Sequence, residues 1–319
     1  MSEHVASPVV DARLGFDQTV PRAIAHRQAV GEVFVTDSAA GSDGTYLIAI
    51  QLPRAHSLWF DRLARFHDTF STAEAARQGS FVVLHRYFDV PVGLPFSLRR
   101  WSFRIDDLDA YRDDERTPLQ GVLAYRVTDR KRGARSGFGD MTLYGELTIG
   151  DRVAMALDGD VVFFTTDDYR ALRAYQQSAK PAAEPYPDPP KLDPALVGRS
   201  DPRNVVLGEV DEGFQYVIDL SHPSYFDHAY DHVPGPFIVE GFRQAALVTA
   251  VRDGALPSPV AAVTACSTTF GDFAEFGAPL TTTAEVTGRD GGRAQVALAL
   301  HQYGRLLAEA TVELTPLPT

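Results

Sequence analysis

Two stretches of the sequence, Glu74-Ala75-Ala76-Arg77-Gln78 and Glu240-Gly241-Phe242-Arg243-Gln244, repeat one another and determine the predicted fold. Each stretch places an acid, an arginine and a glutamine at positions i, i+3 and i+4, which lie on one face of an α-helix. Upstream of these stretches, Gly31-Glu32-Val33 recurs in the same order as Gly208-Glu209-Val210. Because both the order and the identity of the segments match, the sequence indicates an internal duplication.

Within each half, the sequence indicates one helix followed by several strands. The first helix is predicted over residues 72–87, and the second follows Pro234-Gly235 and covers residues 237–251. Later segments are rich in apolar and β-compatible residues, with strand-turn-strand patterns centred on Gly150 and Gly304. One helix followed by a meander of strands is typical of an α+β fold in which the helix lies across an antiparallel sheet. We therefore predict two such halves, packed as a pseudo-dimer within one chain.

Proline is concentrated between the two halves. Seven of the 21 prolines fall between residues 178 and 202, which contain few large apolar side chains. Proline cannot donate a hydrogen bond to a strand ladder and disfavours helix at the residue before it. We therefore predict an extended linker or surface strap over residues 178–202, between an N-terminal domain of residues 1–177 and a C-terminal domain of residues 203–319.

The composition restricts the class of protein. The formal net charge is −12 and the pI is about 5.2, whereas nucleic-acid-binding domains usually carry a basic stripe. Cys266 is the single cysteine, so neither an intrachain disulfide nor a cysteine-based zinc cluster is expected. No run of about 18 apolar residues and no secretory signal is recognisable. We expect a cytoplasmic protein that binds neither nucleic acid nor a membrane.

The repeated helix motif is the first candidate for a functional site. Glu240, Arg243 and Gln244 lie within a largely apolar helix, and burying a carboxylate with a guanidinium is costly unless the two are paired or used. The alternative is an ordinary ion pair on the helix surface, which contributes about a few tenths of a kcal/mol. Because the same three residue types recur in the first half, the functional interpretation is favoured.

A histidine-rich loop before the second helix is the second candidate. It contains His222, His228 and the pair Asp231-His232. The spacing of His228 and His232 would suit a metal on a helix, but the nearby prolines disfavour a continuous helix there and no third ligand is evident. We expect no metal. The favoured interpretation is a loop that presents Asp231 and His232 to a cleft, with structural capping as the alternative.

Segments in both halves resemble one known family. Asp231-His232-Val233-Pro234-Gly235, followed by Glu240 and by Arg243-Gln244-Ala245-Ala246, resembles the signature of the AfsA family of γ-butyrolactone synthases. The upstream segments Ser221-His222-Pro223 and Phe226-Asp227-His228 resemble the sequence that precedes this motif in the same family. First-half segments also match in family order: His26-Arg27, Glu32-Val33-Phe34-Val35-Thr36-Asp37, Pro53-Arg54-Ala55-His56, His67-Asp68, Glu74-Ala75-Ala76-Arg77-Gln78 and Val90-Pro91-Val92-Gly93.

The resemblance implies a fold and a reaction. The fold is a tandem hotdog, related to the acyl-carrier dehydratases, which agrees with the duplicated helix-and-meander pattern. The reaction moves a β-ketoacyl group from acyl carrier protein to the hydroxyl of dihydroxyacetone phosphate. The ester can then close by condensation to a butenolide phosphate, a precursor of actinobacterial signalling molecules. The expected partners are the β-ketoacyl carrier protein and a small phosphorylated alcohol, with no cofactor, for a monomer or a homodimer.

For this chemistry we assign catalytic roles to Glu240, Arg243 and His232. Glu240, as a buried carboxylate with a raised pKa, is predicted to accept the proton of the attacking alcohol. Arg243 or Arg77 is expected to bind the acceptor phosphate, and backbone N–H groups near Gly235 to stabilise the oxyanion. His232 is expected to orient Glu240 or the thioester carbonyl, and the first-half copy of the motif is either a second site or a degenerate one. The predicted substrate-binding residues are Glu74, Arg77, Gln78, Asp231, Gly235, Phe242 and Gln244.

The sequence departs from the family pattern at three places, and two other functions are kept as alternatives. Pro236 stands where the family usually has methionine, Gly241-Phe242 where it has two small residues, and Gly277 where an acidic residue is expected. These positions leave the acceptor and the acyl chain undetermined. The alternative functions are a hotdog hydratase, dehydratase or thioesterase, and a non-catalytic acyl- or lactone-binding regulator. A basic cluster predicts a solvated loop or, alternatively, a docking site for an acidic carrier protein: Arg126, Arg130, Lys131, Arg132 and Arg135.

Overall fold

The computed structural model describes residues 14–132, 139–182 and 186–318, with the side chains of residues 129–132 left undescribed. Within these residues it has three α-helices: α1 over Thr69–Tyr87, α2 over Thr166–Ser178 and α3 over Gly235–Arg252. The helices α1 and α3 correspond to the two predicted helices. Helix α2 lies partly within the predicted N-terminal domain and is not predicted from the sequence.

Twelve strands of the described chain form one antiparallel sheet. Their bounds are β1 Val35–Ala40, β2 Tyr46–Leu52, β3 Phe96–Ile105, β4 Leu119–Arg132, β5 Gly139–Ile149, β6 Arg152–Phe163, β7 Leu207–Val210, β8 Gly213–Tyr216, β9 Ala261–Phe270, β10 Thr281–Asp290, β11 Arg293–Gln302 and β12 Arg305–Pro316. The spatial order is β1-β2-β4-β5-β6-β3-β9-β12-β11-β10-β8-β7. Read outward from the β3–β9 junction, the two halves have the same strand order, so the predicted α+β tandem hotdog is confirmed.

The junction between the halves is a short antiparallel ladder in which Arg100 of β3 pairs with Thr269 of β9 and Arg104 pairs with Ala265. Helix α1 packs against β1, β2 and β4, and α3 packs against β10, β11 and β12. Each helix therefore covers the sheet of its own half, as expected for a helix lying across an antiparallel sheet. None of the helices in the described part of the chain is long and apolar enough to cross a membrane.

Both central helices are buried around most of their circumference, because their sequences are apolar on nearly every face. Helix α1 begins three residues before the predicted position, since the side chain of Asp68 accepts a hydrogen bond from Phe70 N and caps the helix. Helix α3 has Pro234 at its N-cap and no side-chain cap, and Pro236 lies in its first turn. The start of α3 is thus held by backbone contacts rather than by a polar side chain.

Gly241 lies where α3 crosses the buried ring of Tyr216. A Cβ added there would fall within the volume of the ring, 2.6 Å from its hydroxyl oxygen, which donates to Ile238 O. In an exposed helix interior, glycine-to-alanine substitution stabilises by about 1 kcal/mol. Here we expect Gly241→Ala to destabilise the fold by about 1–3 kcal/mol through overpacking. Denaturant unfolding of the variant measures this change.

The matched control for this prediction is Gly79 on α1. An added Cβ at Gly79 would lie 3.1 Å from Ile48 Cγ2 and 3.3 Å from Tyr125, a tight contact but not an overlap. Gly79→Ala should therefore lower the free energy of unfolding by less than Gly241→Ala does. Equal effects of the two substitutions would contradict the overpacking argument.

Candidate functional site

The carboxylate of Glu240 lies between two buried arginines. Arg199 donates from Nε and Nη2 over 3.2 and 2.9 Å, and Arg243 donates from Nε and Nη2 over 2.9 and 2.7 Å. Gln244 Nε2 adds a third contact at 2.7 Å. Only 2% of the Glu240 side chain is exposed. The sequence analysis predicted the pairing with Arg243 but did not identify Arg199.

The first half repeats this cluster around Glu74. Arg77 donates to Glu74 from Nε and Nη2 over 2.8 and 2.9 Å, and Gln78 Nε2 donates over 2.9 Å. Arg27 forms a short contact to Glu74 in the position that Arg199 takes in the second half. The two helix motifs are therefore the same four-residue cluster, built twice.

The two glutamines bind backbone rather than a cavity. Gln78 accepts from Phe34 N and donates to Glu32 O, while Gln244 accepts from Val206 N and donates to Asn204 O. Both glutamines are fully buried. The predicted substrate-binding role of Gln78 and Gln244 is therefore corrected: they fix the segment that precedes each half's first strands to the central helix.

The raised pKa predicted for Glu240 is also corrected. Burial by itself would raise the pKa, but Arg199 and Arg243 lower it to about 2. The pKa of Glu74 is lowered to about 2 in the same way, by Arg27 and Arg77 acting against burial. Both carboxylates are therefore ionised and fully hydrogen-bonded, which makes them poor proton acceptors at neutral pH.

Two equivalent loops exchange contacts between the halves. The first loop is His56-Ser57-Leu58-Trp59-Phe60-Asp61-Arg62, and the second is His222-Pro223-Ser224-Tyr225-Phe226-Asp227-His228. The number of residues that separates the two loops along the chain is the same as the number that separates the two helix motifs. Asp61 accepts from Ser200 N, next to Arg199 in the predicted linker, over 2.8 Å. Asp227 accepts from Gln28 N, next to Arg27, over 2.9 Å. The loop of each half thus positions the arginine-bearing segment that pairs with the glutamate of the other half.

One large cavity lies where the loop before α3 meets α1, β3 and α2, with a volume of about 610 Å³. One part of its wall is apolar: Leu94, Phe96, Leu98, Val161, Leu172 and Phe270. Another part is polar: His26, Arg77, His228, Tyr230, Asp231 and His232. Pockets of this size and mixed lining are typical of small-molecule sites. This cavity is the candidate functional site.

Two aspartate–histidine pairs present imidazoles to the cavity. His228 Nδ1 lies 2.6 Å from Asp227 Oδ1, and His232 Nδ1 lies 2.6 Å from Asp231 Oδ1. A carboxylate can only accept, so Nδ1 carries the proton in each neutral ring and Nε2 carries the lone pair. Within the described residues neither Nε2 has a hydrogen-bond partner. Both rings are therefore oriented as proton acceptors.

Helix α2 fixes the second of these pairs. Arg173 donates from Nε to Asp231 over 3.1 Å, and its Nη1 and Nη2 each donate to Glu275 over 2.8 Å. Tyr169 donates to Asp231 over 3.0 Å. Burial opposes ionisation of Asp231, but its contacts to His232, Tyr169 and Arg173 hold its pKa well below the usual range. Asp231 is thus a fixed anion behind His232.

The start of α3 supplies fewer backbone donors than the sequence analysis expects. Pro234 and Pro236 have no N–H, and the N–H groups of Phe237 and Ile238 both donate to Pro234 O. In the described chain, Gly235 N–H has no protein acceptor, and Gly235 lines the cavity. The expected oxyanion site is therefore reduced to one N–H group at the positive end of α3.

The equivalent position in the other half is nearly filled. The pocket beside Arg243 has a volume of about 50 Å³ and contains Arg62 and Phe66 at the positions equivalent to His228 and His232. Arg62 forms a short ion pair with Asp113 and its guanidinium lies 4.2 Å from the ring centre of Phe60. The pocket of the second copy therefore has neither of these imidazoles, and its volume is less than a tenth of that of the large cavity.

The predicted catalytic residues do not form one site. Of Glu240, Arg243 and His232, only His232 lines the large cavity, and Arg243 lines the nearly filled pocket. The arginine at the large cavity is Arg77 of the first half, so the first-half copy of the motif is the one beside this cavity. Phe242 is fully buried and lines neither space, which corrects its expected effect on the acyl pocket.

Other predicted residues have simpler explanations. Asp231, Gly235 and Pro236 line the large cavity, whereas Glu74 lines only a small pocket of about 30 Å³ behind Arg77. Gly277 has a φ of +81°, a turn conformation that favours glycine over an acidic residue. In the basic cluster, Arg126 pairs with Asp43, while residues 133–138 and the side chains of 129–132 lie outside the described structure.

Several site residues were missed by the sequence analysis. His26 and His228 belong to the segments that resemble the family but were given no role, and the Asp227-His228 pair repeats Asp231-His232. That repetition is a signal that could have identified His228. Nothing in the local sequence indicates that α2 contributes Tyr169 and Arg173, because this contact joins residues about sixty positions apart. No group of three metal-binding side chains occurs among the residues the structure describes.

Comparison with known proteins places these features in context. The family model of the A-factor biosynthesis hotdog domain, AfsA, matches residues 10–165 and 181–318. A relative from Streptomyces virginiae, named 2-oxo-3-(phosphooxy)propyl 3-oxoalkanoate synthase, is 31% identical over 89% of this chain and 93% of its own. A relative of the same name from Streptomyces coelicolor is 28% identical over 92% of this chain and 90% of its own.

A solved structure described as a provisional oleoyl thioesterase from Lactobacillus plantarum is similar in fold. Its TM-score is 0.50 at 10% sequence identity, and the match covers 88% of this chain and 100% of that one. At this level of identity the similarity concerns the fold alone. It agrees with the two-halved sheet described above.

Proposed function

This chain belongs to the AfsA family of A-factor biosynthesis hotdog proteins, and we propose that it is an acyltransferase acting in its large cavity. The proposed reaction moves a 3-oxoacyl group from a carrier-protein thioester to the hydroxyl of dihydroxyacetone phosphate. The product is the 2-oxo-3-(phosphooxy)propyl ester of a 3-oxoalkanoate, the product class in the names of the relatives. This ester can then close to a butenolide phosphate.

The observation that carries the proposal is the division of the cavity into a polar and an apolar part. The apolar wall of β3, β6 and α2 suits an acyl chain, whereas the polar part offers a guanidinium and oriented imidazoles. Arg77 uses Nε and Nη2 for Glu74 and leaves Nη1 available, so it can bind a phosphate oxygen without losing its buried partner.

His232 is the proposed general base. With its Nδ1 held by Asp231, its Nε2 can accept the proton of the acceptor hydroxyl while the hydroxyl oxygen attacks the thioester carbon. The developing oxyanion accepts a hydrogen bond from the N–H of Gly235 at the start of α3. As the C–S bond breaks, the imidazolium returns the proton to the departing thiolate. One C–O bond is formed and one C–S bond is broken, and the proton moves from alcohol to thiol.

A carrier protein is the proposed acyl donor, as the family resemblance implies. A cytoplasmic location and a monomeric or homodimeric state are part of the same proposal. The nearly filled second pocket supports one active site per chain.

The proposal predicts a reaction that depends on the phosphorylated acceptor. Incubating the protein with a 3-oxoacyl carrier-protein thioester and dihydroxyacetone phosphate should yield the ester or its butenolide phosphate, detected by mass spectrometry. Unphosphorylated dihydroxyacetone should react far more slowly, because Arg77 then has no anion to bind. Hydrolysis of the thioester at the same rate with and without acceptor would indicate a thioesterase, and an intact thioester with saturable binding would indicate a non-catalytic binder.

A further inference from the structure

His26 and His85 form a hydrogen-bonded pair at the edge of the large cavity. Their Nε2 atoms lie 2.8 Å apart, and His85 Nδ1 lies 2.7 Å from Val90 O. The ring of His26 stacks on Phe81, with centroids 4.2 Å apart, and packs edge-on against Phe96. His26 lines the cavity, and the proposed reaction assigns no role to either histidine.

These contacts determine where the protons lie. The carbonyl of Val90 can only accept, so His85 Nδ1 carries a proton and the Nε2 of neutral His85 is an acceptor. His26 Nε2 therefore donates to His85, and the lone pair of His26 lies on Nδ1. Within the described residues, Nδ1 of His26 has no hydrogen-bond partner. This atom is not fully buried, so a molecule in the cavity can reach it. The pair thus has one vacant position for a proton, on the His26 ring.

Burial and neighbouring basic groups keep His26 neutral in the empty cavity. Burial first, and then His85, Arg77, His228 and Arg27, lower the pKa of His26 to about 3, so the ring is neutral in the empty cavity. The pKa values of Glu74 and Asp227 are about 2, so both are ionised, and they pair with the two arginines. The charged and titratable groups that act on His26 are His85, Arg77, His228 and Arg27, and Glu74, Asp227 and Tyr230 in turn act on Arg27.

Arg27 and Arg77 already share the carboxylates of Glu74 and Asp227, so they balance the charge of a dianion entering this part of the cavity only in part. Its own charge favours protonation of a neighbouring imidazole. We propose that the His26–His85 pair takes up one proton when a phosphomonoester dianion binds, so that His26 becomes an imidazolium whose Nδ1–H donates to the anion. The ring of His85 then accepts a hydrogen bond from His26 Nε2, and its own Nδ1–H donates to Val90 O. This inference rests on the proposed function only for the identity of the phosphomonoester that binds.

The test uses sulfate as the probe, because sulfate remains a dianion across the range in which histidine titrates. With ¹⁵N-histidine-labelled full-length protein, long-range ¹H–¹⁵N spectra should show His26 neutral and unprotonated at Nδ1 from about pH 5.5 to about pH 8. Saturation with sulfate should shift His26 to the charged form. By calorimetry, the sulfate affinity should increase by up to about tenfold for each unit of decrease in pH, as expected for uptake of one proton.

Substitutions identify which imidazole takes up the proton. His26→Gln should remove most of this pH dependence, and His85→Leu should weaken it because the charged ring loses its acceptor. His301→Gln on β11, outside the cavity lining, is the matched control and should leave the pH dependence unchanged. Sulfate affinity that does not vary with pH, or a pH dependence removed by His228→Gln and kept by His26→Gln, would overturn the inference.

The outcome is separable from that of the proposed function. If no ester forms with dihydroxyacetone phosphate but sulfate binding still protonates His26, the anion site stands and the acceptor is a different phosphomonoester. If the ester forms and sulfate binds without charging His26, the acyltransferase stands and the proton-uptake inference is wrong. The wild-type spectra decide the second point even if one of the variants does not fold.

Discussion

His232→Gln is expected to lower the rate of ester formation by about 10²–10⁴-fold, the usual contribution of a positioned general base. Glutamine keeps a polar side chain of similar reach but cannot accept a proton. The effect on stability should be small, because 20% of the His232 side chain is exposed and its hydrogen bonds run to Asp231 and Tyr169 at the cavity edge. Initial rates with saturating thioester, together with a thermal unfolding curve, measure both quantities.

The control for this prediction is the second aspartate–histidine pair. His228→Gln removes an imidazole of the same type from the same cavity, and it should raise the KM for the phosphorylated acceptor more than it lowers kcat. Asp231→Asn should lower kcat as well, because a neutral partner no longer fixes the His232 tautomer. Wild-type turnover in His232→Gln would exclude His232 as the base, and loss of turnover only in His228→Gln would transfer that role to His228.

The sequence was sufficient for the fold because the fold depends on local and repeated features. Residues in the two helix motifs repeat at one spacing, and each motif lies in a segment whose apolar pattern is helical, so both helices and the pairing of Glu240 with Arg243 could be predicted. The meander accounts for the neighbours β4-β5-β6 and β10-β11-β12, but it does not predict that β3 and β9 pair beyond β6 and β12 and form the junction. The start of α1 differed from the prediction because the cap at Asp68 was not recognised.

The site was harder to predict, because the two copies of a duplicated motif differ in what surrounds them. From the sequence, Glu240 and Glu74 are equivalent, and the family resemblance favoured the second copy. The structure distinguishes them through distant residues: Arg62 and Phe66 fill one pocket, whereas His228 and His232 leave the other open. A loop that crosses to the other half determines this difference, and no local pattern reveals the crossing.

The sequence correctly indicated that the carboxylate of Glu240 is buried, and burial alone does raise the pKa of a carboxyl group. The net shift is downward because Arg199 and Arg243 together outweigh burial. Arg199 lies about forty positions upstream, in the proline-rich segment predicted to be a linker, so its contribution to this shift was not recognised from the sequence.

Glu240→Gln is accordingly expected to destabilise the fold by about 3–5 kcal/mol, the usual effect of removing one partner from a buried ion pair. Arg199 and Arg243 are 1% and 5% exposed, so both guanidiniums would stay buried without their anion. Urea unfolding at neutral pH measures the loss. Glu209→Gln, which breaks the exposed pair with Arg252, is the matched control and should change stability by about 0–1 kcal/mol.

The pH dependence distinguishes this structural role from a catalytic one. Because the pKa of Glu240 falls from 4.5 to about 2 on folding, its contribution is fully present above pH 4.5 and is lost as the pH falls towards 2. The stabilities of wild type and Glu240→Gln should therefore converge in acid and separate at neutral pH. A variant that unfolds like the wild type yet forms no ester would instead restore Glu240 as a catalytic residue, and would require that the nearly filled second pocket open to admit substrate.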